Sequence, residues 1–187
     1  MSDKNADFNF CPHCGSTKGI KYPKRRHWVC SECGFDLFNN VAAAVGLIVQ
    51  DKKGRILFET RAKEPRKGFL ALPGGFVDPD ESAEEAAFRE CMEETGLKPE
   101  KVLFVCTSAN TYEYKDIVYK TCDMFFAAQL QKSDASLDDL LGRLVPQESE
   151  VSGFSLHKVE TQEDVENLPL AFGSAKVALK KYLENFH

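Results

Sequence analysis

Residues 75–97 constrain this chain more than any other stretch. They read Gly75-Phe-Val-Asp-Pro-Asp-Glu81-Ser-Ala-Glu-Glu-Ala-Ala-Phe-Arg89-Glu90-Cys-Met-Glu93-Glu94-Thr-Gly96-Leu97. Gly75 and Asp78-Pro79-Asp80 have the composition of a turn. Ser82 followed by Glu85 matches a capping box, and Gly96 with Pro99 beyond it matches a helix stop. The spacing therefore predicts a helix from Ser82 to about Thr95. On it Glu90, Glu93 and Glu94 stand at i, i+3 and i+4 and share a face. Like charges so close repel, and a divalent cation held by carboxylate oxygens would offset the cost. Ala83, Ala86 and Ala87 are read on the same arc, where small side chains let a loop or ligand approach. Phe88 and Met92 are read on the opposite side, as the anchor to a core. Arg89 flanks the acids with a planar fork suited to orienting a carboxylate. The plain alternative is a solvated acidic helix face.

These residues resemble the Nudix box. Gly75, Glu81, Arg89, Glu90, Glu93, Glu94 and Gly96 match its fixed positions, and Cys91 and Leu97 fill its apolar slots. Cys91 is the one departure, and a buried cysteine behaves as a small hydrophobe. The lead-in Gly68-Phe-Leu-Ala-Leu72-Pro73-Gly74-Gly75 is similar to the family's as well. The resemblance implies an α/β (α+β) Nudix fold, a mixed sheet sandwiched between helices. It implies hydrolysis of the pyrophosphate bond of a nucleoside diphosphate linked to another moiety, such as ADP-ribose or a dinucleotide. Metal ions offset the charge that gathers on phosphate oxygens and lower the pKa of a bound water. By resemblance, Glu90, Glu93 and Glu94 with the carbonyl of Gly74 are the Mg²⁺ or Mn²⁺ ligands. Glu81 holds the turn or reaches a second metal through water. Arg89 orients a glutamate. Glu90 is the candidate for activating the nucleophilic water. Glu150 is the candidate outside the box, with Glu148 behind it.

The N-terminal region carries a second pattern. Cys11-Pro-His-Cys14 and Cys30-Ser-Glu-Cys33 are CxxC pairs separated by fifteen residues. That spacing suits a four-cysteine zinc site. Gly15 and Gly34 follow the pairs, where a knuckle turn around a metal needs them. Disulfides or a redox pair are the competing readings. The module resembles a zinc ribbon, and structural Zn²⁺ would supply much of its folding energy. The expected division is a ribbon over 1–39 and a Nudix domain over 40–187. With four thiolates present, His13 and His27 are not expected to ligate. Lys18, Lys21, Lys24, Arg25 and Arg26 make the ribbon locally basic, either as a solvated face or as a contact for the phosphate of a nucleic acid or nucleotide.

The other segments frame the box. Val41–Val49 reads as a strand apolar on both faces, Asp51–Gly54 as a hairpin turn, and Arg55–Phe58 as the returning strand. Phe69–Leu72, Val102–Cys106, Asn110–Tyr114, Cys122–Ala128 and Glu150–Ser155 are further strands. Residues 133–144 form a loop or short helix. Thr161–Leu168 reads as a short helix, and Ser174 caps a terminal one running to Leu183. Cys91, Cys106 and Cys122 are expected to be buried, unpaired thiols.

Composition excludes some partners. The net charge is −5 without a long basic block, which gives no electrostatic case for a dedicated nucleic-acid or membrane binder. No apolar run reaches the ~20 residues of a membrane helix, and the polar start Met1-Ser-Asp-Lys lacks a signal-peptide core. A cytoplasmic location is expected, with a homodimer suggested by family resemblance.

A zinc ribbon before a Nudix domain is similar to NADH pyrophosphatase. Those proteins carry a Ser-Gln-Pro-Trp-Pro-Phe-Pro signature after the box, where this chain reads Ser108-Ala-Asn-Thr-Tyr-Glu-Tyr114. Arg61, Phe69 and Tyr112 are the candidate substrate contacts, through phosphate pairing or base stacking. NADH pyrophosphatase and RNA-cap hydrolase are the alternative activities. A non-catalytic nucleotide-sensing regulator is the alternative of another class.

Overall fold

The computed structural model describes residues 10–17, 20–24, 27–114, 117–130, 137–141, 144 and 150–186. Three short strands form an antiparallel sheet near the N-terminus: β1 (Ile20–Lys24), β2 (His27–Cys30) and β3 (Asp36–Phe38). Cys11, Trp28 and Cys30 make its small core, with Phe35 and Leu37 packed against them.

The remaining elements are β4 (Ala42–Val49), β5 (Arg55–Arg61), β6 (Leu70–Ala71), α1 (Ala83–Thr95), β7 (Pro99–Tyr114), β8 (Ile117–Leu130), α2 (Leu137–Leu141), β9 (Val151–Lys158), α3 (Gln162–Asn167) and α4 (Gly173–Phe186). β4, β8 and β7 form a mixed sheet, with β4 parallel to β8 and β7 antiparallel to it. β6, β5 and β9 form a second, antiparallel sheet.

Alternation along the strands builds the layers. Ile48, Phe58 and Phe125 enter one apolar cluster with Val165 of α3 and Ala175, Ala178, Leu179 and Tyr182 of α4. Their neighbours Leu47, Val49, Leu57 and Phe126 enter another, with Ala86, Ala87 and Cys91 of α1. Successive side chains of a strand point to opposite faces, so a strand apolar on both faces is covered on both. This is the expected sheet between helices. Each fully buried Leu or Phe here contributes on the order of 1.5–3 kcal/mol.

Four local expectations need correction. Asp51–Gly54 makes its tight turn, with Asp51 N–H donating to Arg55 O at 2.9 Å. It does not join a hairpin ladder. β4 and β5 share only the bridge Gln50–Ile56 and then part into different sheets, because β4 pairs with β8. Val102–Cys106 and Asn110–Tyr114 are one long strand, β7, with irregular register between Phe104 and Cys106. On α1 the anchor is not Met92, which is exposed; it is Ala86, Ala87 and Cys91. The small alanines seat the helix against the sheet, so the acids at positions 90 and 94 face inward beside them. Finally, Ser174 lies inside α4 rather than capping it, and its hydroxyl donates to Asp123 instead.

Both helix-stop and helix-start signals of α1 are realised. Ser82 and Glu85 bond reciprocally as a capping box, and Gly96 adopts φ 69°. The cysteines outside the two pairs are free thiols; Cys91 is buried, while Cys106 and Cys122 are half-buried. Among the described residues no helix is long and apolar enough to cross a membrane. Lys18, Arg25, Arg26 and Glu148 lie outside the described residues, as do 133–136 and 142–143, and Lys21 and Lys24 are described by their strand alone.

Candidate functional site

A cavity of about 630 Å³ opens between the two larger sheets and α1. One end is acidic. Glu90 and Glu94 reach it from α1, and Glu59 reaches it from β5; all three are buried. The lead-in to α1 makes room for them. Val45 and Leu47 of β4 donate to the carbonyls of Gly75 and Pro73, each at 2.8 Å, which fixes Gly74 and Gly75 against the sheet. An added Cβ at Gly75 would meet Glu90 Oε1 at 2.4 Å, and one at Gly74 would meet Val45 O at 2.1 Å. Gly74 also holds φ at 146°, so a side chain there would clash with the β4 backbone, whereas one at Gly75 would displace the Glu90 carboxylate.

Each acid has a distinct environment. Glu94 Oε2 accepts the Gly74 N–H at 2.6 Å. Burial raises its pKa to about 7; that hydrogen bond opposes the rise and the charge of Glu90 adds to it. Burial raises Glu90 too, against the Arg89 guanidinium, whose Nη1 donates to Glu90 Oε1 at 2.7 Å. Glu59 is pushed furthest, by burial first and by the neighbouring Glu94 charge second. Its Oε1 is buried with no hydrogen-bond partner among the described residues. Three buried carboxylates and an orphaned oxygen are costly unless a cation meets them. All-oxygen donors of this kind fit a hard divalent cation such as Mg²⁺ or Mn²⁺.

The other predicted box residues surround this end without lining it. Arg89 makes a two-pronged pair with Glu81 (Nη2 to Oε1 2.6 Å, Nε to Oε2 3.1 Å) and also reaches Glu93 at 3.2 Å and the Phe76 carbonyl at 3.0 Å. Glu81 also accepts the Asp78 N–H at 2.7 Å, so it locks the turn. Glu93 is exposed. Glu150 stands at the cavity wall, ion-paired with Lys63.

The opposite end is aromatic. Phe76, Tyr112, Tyr119 and Phe172 line it. Arg61 lies 5.9 Å from the Tyr112 ring centre and 5.2 Å from that of Phe172, within cation–π range. Its Nε donates to Pro65 O at 2.8 Å. Of the three substrate candidates, Arg61 and Tyr112 come to the cavity. Phe69 does not line it and is partly exposed.

Glu59, Phe76, Tyr119, Asp123 and Phe172 also line the cavity, and none of them belongs to the motif's acidic or arginine positions. A carboxylate in the apolar run Ile56-Leu57-Phe58-Glu59 was the available signal, since a charge at a buried strand position needs a partner.

The four cysteines form a separate cluster. Their sulfurs all lie within 4.8 Å of one another. Cys11 and Cys33 are 3.7 Å apart, and Cys14 and Cys30 are 3.8 Å apart. Tetrahedral Zn–S bonds of ~2.3 Å would set sulfurs ~3.8 Å apart, and no disulfide joins any cysteine. Gly15 and Gly34 take φ of 71° and 74° and donate to Cys11 O and Cys30 O, each at 2.8 Å. His13 and His27 stack on Phe35 and Phe38 instead.

Residues 41–178 match the family model described as the NUDIX domain. The chain belongs to the Nudix family. It is 48% identical to an ADP-ribose pyrophosphatase from Methanocaldococcus jannaschii over 65 residues, covering 35% of this chain and 38% of that protein. It is 32% identical to an NAD-capped RNA hydrolase, NudC, from Chromobacterium violaceum over 90 residues, covering 48% of this chain and 32% of that protein. The chain thus spans well under two thirds of either relative. Among solved structures it resembles a Nudix hydrolase from Nitrosomonas europaea, with a TM-score of 0.64 and 26% identity over 95% of this chain and 92% of that one. The Nudix domain of Shewanella oneidensis NrtR complexed with ADP ribose shares the fold, with a TM-score of 0.58 and 22% identity over 80% of this chain and 91% of that one.

Proposed function

We propose that this Nudix protein is a metal-dependent pyrophosphohydrolase that cleaves a nucleoside diphosphate linked to another moiety. The observation that carries the reading is the cavity itself, with buried Glu59, Glu90 and Glu94 at one end and aromatic rings with Arg61 at the other. Glu90 and Glu94 would hold Mg²⁺ or Mn²⁺ with the Gly74 carbonyl, and Glu59 would add a carboxylate from outside the box. The bound ion would supply charge neutralisation at the phosphates and a more acidic water. Arg89 orients Glu90 and is itself steadied by Glu81. Glu93, exposed and bonded to Arg89, acts through that arginine or through water. Glu150, beside Lys63, is the base candidate at the cavity wall. Arg61 and Tyr112 would meet the nucleotide moiety.

The names of two relatives, an ADP-ribose pyrophosphatase and an NAD-capped RNA hydrolase, support a nucleotide-linked diphosphate as substrate. They keep ADP-ribose, dinucleotides and capped RNA in the panel. A sensing regulator needs no cation-binding carboxylates, so the buried acidic end favours the enzyme. The four cysteines are proposed to bind structural Zn²⁺ in a ribbon over 1–39, ahead of a Nudix domain over 40–187.

A Mg²⁺-supported assay over ADP-ribose, NADH, diadenosine polyphosphates, nucleotide sugars and capped RNA tests the reading. Mononucleotide release from at least one of them is expected. Absence of hydrolysis across the panel with both Mg²⁺ and Mn²⁺ would overturn it.

A further inference from the structure

One wall of the cavity is the sheet face shared by β4 and β8. Ala42, Ala44 and Gly46 line it at every second residue, and the parallel register sets them beside Thr121, Asp123 and Phe125. Small side chains keep β4 low at Ala42 and Ala44, the Phe125 ring covers Gly46, where an added Cβ would meet it at 2.6 Å, and Asp123 stands beside Ala44 as a buried carboxylate. The Thr121 hydroxyl donates to Asp123 Oδ1 at 2.6 Å, and the Ser174 hydroxyl donates to Oδ2 at 2.7 Å. Among the described residues no cation pairs with it. A carboxylate offers about four acceptor sites, so two hydroxyls leave acceptor capacity for a ligand in the cavity.

The wall also acts as a ruler. Its Gly46 end abuts the acidic end, since a Cβ on Gly74 would come within 2.8 Å of Gly46 Cα while Gly74 N–H is bonded to Glu94. A strand rises ~3.3 Å per residue, which puts Ala44 and Asp123 about 7 Å from that end and Ala42 with Thr121 about 13 Å from it. Tyr119 follows two residues beyond Thr121 and faces Tyr112 across the β7–β8 pair. The Phe76 ring lies 5.9 Å from that of Tyr112 and 6.4 Å from that of Tyr119. Along β8 the order is therefore the acidic end, Asp123, then Tyr119 with Tyr112, while Phe76, whose backbone bridges Ala44, starts level with Asp123 and turns its ring toward the tyrosines. A nucleoside diphosphate presents phosphates, ribose hydroxyls and a planar base in the same order, with the hydroxyls in the middle.

We propose that Asp123 accepts hydrogen bonds from the ribose hydroxyls of the nucleotide, so that the site selects ribonucleotides over 2′-deoxyribonucleotides. The proposal rests on the pyrophosphohydrolase reading above. A vicinal diol brings two O–H donors to the remaining acceptor sites of Asp123. The same negative charge repels phosphate oxygens, which keeps the diphosphate at the acidic end and fixes the register of the substrate. A site built to bond a hydroxyl discriminates against the analogue that lacks it, because the buried acceptor is then left unpaired.

Asp123 also ties β8 to the first turn of α4 through Ser174, so the test must separate binding from folding. Calorimetric titrations of the full chain in Mg²⁺ with ADP and with 2′-deoxy-ADP provide that separation. The unaltered protein should bind ADP at least about tenfold tighter, as expected for a hydrogen bond to a charged acceptor. Asp123→Asn and Asp123→Ala should shrink the ratio toward one. Ser174→Ala, which removes the tie but keeps the carboxylate, should retain the ribose preference. Equal affinities in the unaltered protein would overturn the proposal even if neither Asp123 variant folds, and so would an undiminished ratio in Asp123→Ala. Binding of neither nucleotide would overturn this proposal, and absence of hydrolysis across the panel above would overturn the pyrophosphohydrolase reading with it. Hydrolysis accompanied by indifference to the 2′-hydroxyl would overturn this one alone.

Discussion

The four-cysteine cluster and the acidic end of the cavity are the two places proposed to meet a cation, and they are built differently. The cysteines come from two short knuckles, and their sulfurs lie within 4.8 Å of one another, closed around a point. The carboxylates come from β5 and from two turns of α1, and they face a cavity of about 630 Å³. A closed thiolate tetrahedron leaves no coordination position for a substrate, whereas an open carboxylate set does. In the proposed reading the first arrangement would serve folding and the second chemistry. Their charges differ in origin as well. The knuckle glycines fold each cysteine pair locally, while Glu59, Glu90 and Glu94 are forced together by the packing of a helix on a sheet.

The largest effect should come from breaking the closed site. Cys30→Ser, or exhaustive chelation, should release about one zinc per chain and unfold the N-terminal sheet, since structural zinc contributes on the order of 10 kcal/mol. The Nudix domain should keep its own melting transition. Metal analysis with calorimetry checks this, and a zinc-free protein whose N-terminal sheet stays folded would remove the contrast between the two sites.

The next effect is on turnover. Glu94→Gln should lower kcat/KM about a hundredfold to a thousandfold, the scale of losing one preorganised electrostatic partner. Glu93→Gln should cost less, because Glu93 is exposed and touches Arg89 rather than the cavity. Equal losses in the two variants would mean that α1 presents its acids differently from the arrangement described.

The smallest effect is on stability against pH. Burial raises the folded pKa of Glu59, Glu90 and Glu94 above the ordinary 4.5, to about 7 for Glu94. The folded protein then holds more protons than the unfolded chain across that interval. Metal-free stability should be full below pH ~4.5 and fall as pH rises through about 7. Saturating Mg²⁺ should restore more stability at pH 8 than at pH 5, because the ion meets the carboxylates in their charged form. Thermal melts over that range with and without Mg²⁺ provide the check; a metal-free protein that gains stability with pH would contradict the buried acidic end.

Much of this is legible in the sequence. The box residues sit close in sequence, so periodicity alone gathers Glu90 and Glu94, and cap and stop chemistry delimit α1. The cysteine spacing is equally local. What could not be read depends on contacts between distant segments. Met92 looked like an anchor because it is large, yet alanines bring the helix closer to the sheet and leave Met92 in solvent. Ser174 looked like a cap because it precedes a helical pattern, yet a carboxylate on β8 takes its hydroxyl. Phe69 adjoins the box in sequence but does not line the cavity.

The sequence by itself determined the family, the helix that carries the acids and the pairing of four cysteines, because each is written in residues a few positions apart. Only the tertiary structure decided that Glu59 joins Glu90 and Glu94, that Glu81 and Glu93 stay outside, and that Asp123 stands between the acidic and aromatic ends. The physical reason is register. The pairing of β4 with β8 and the seating of α1 on the sheet decide which alternate side chains share a face, and no single segment carries that information.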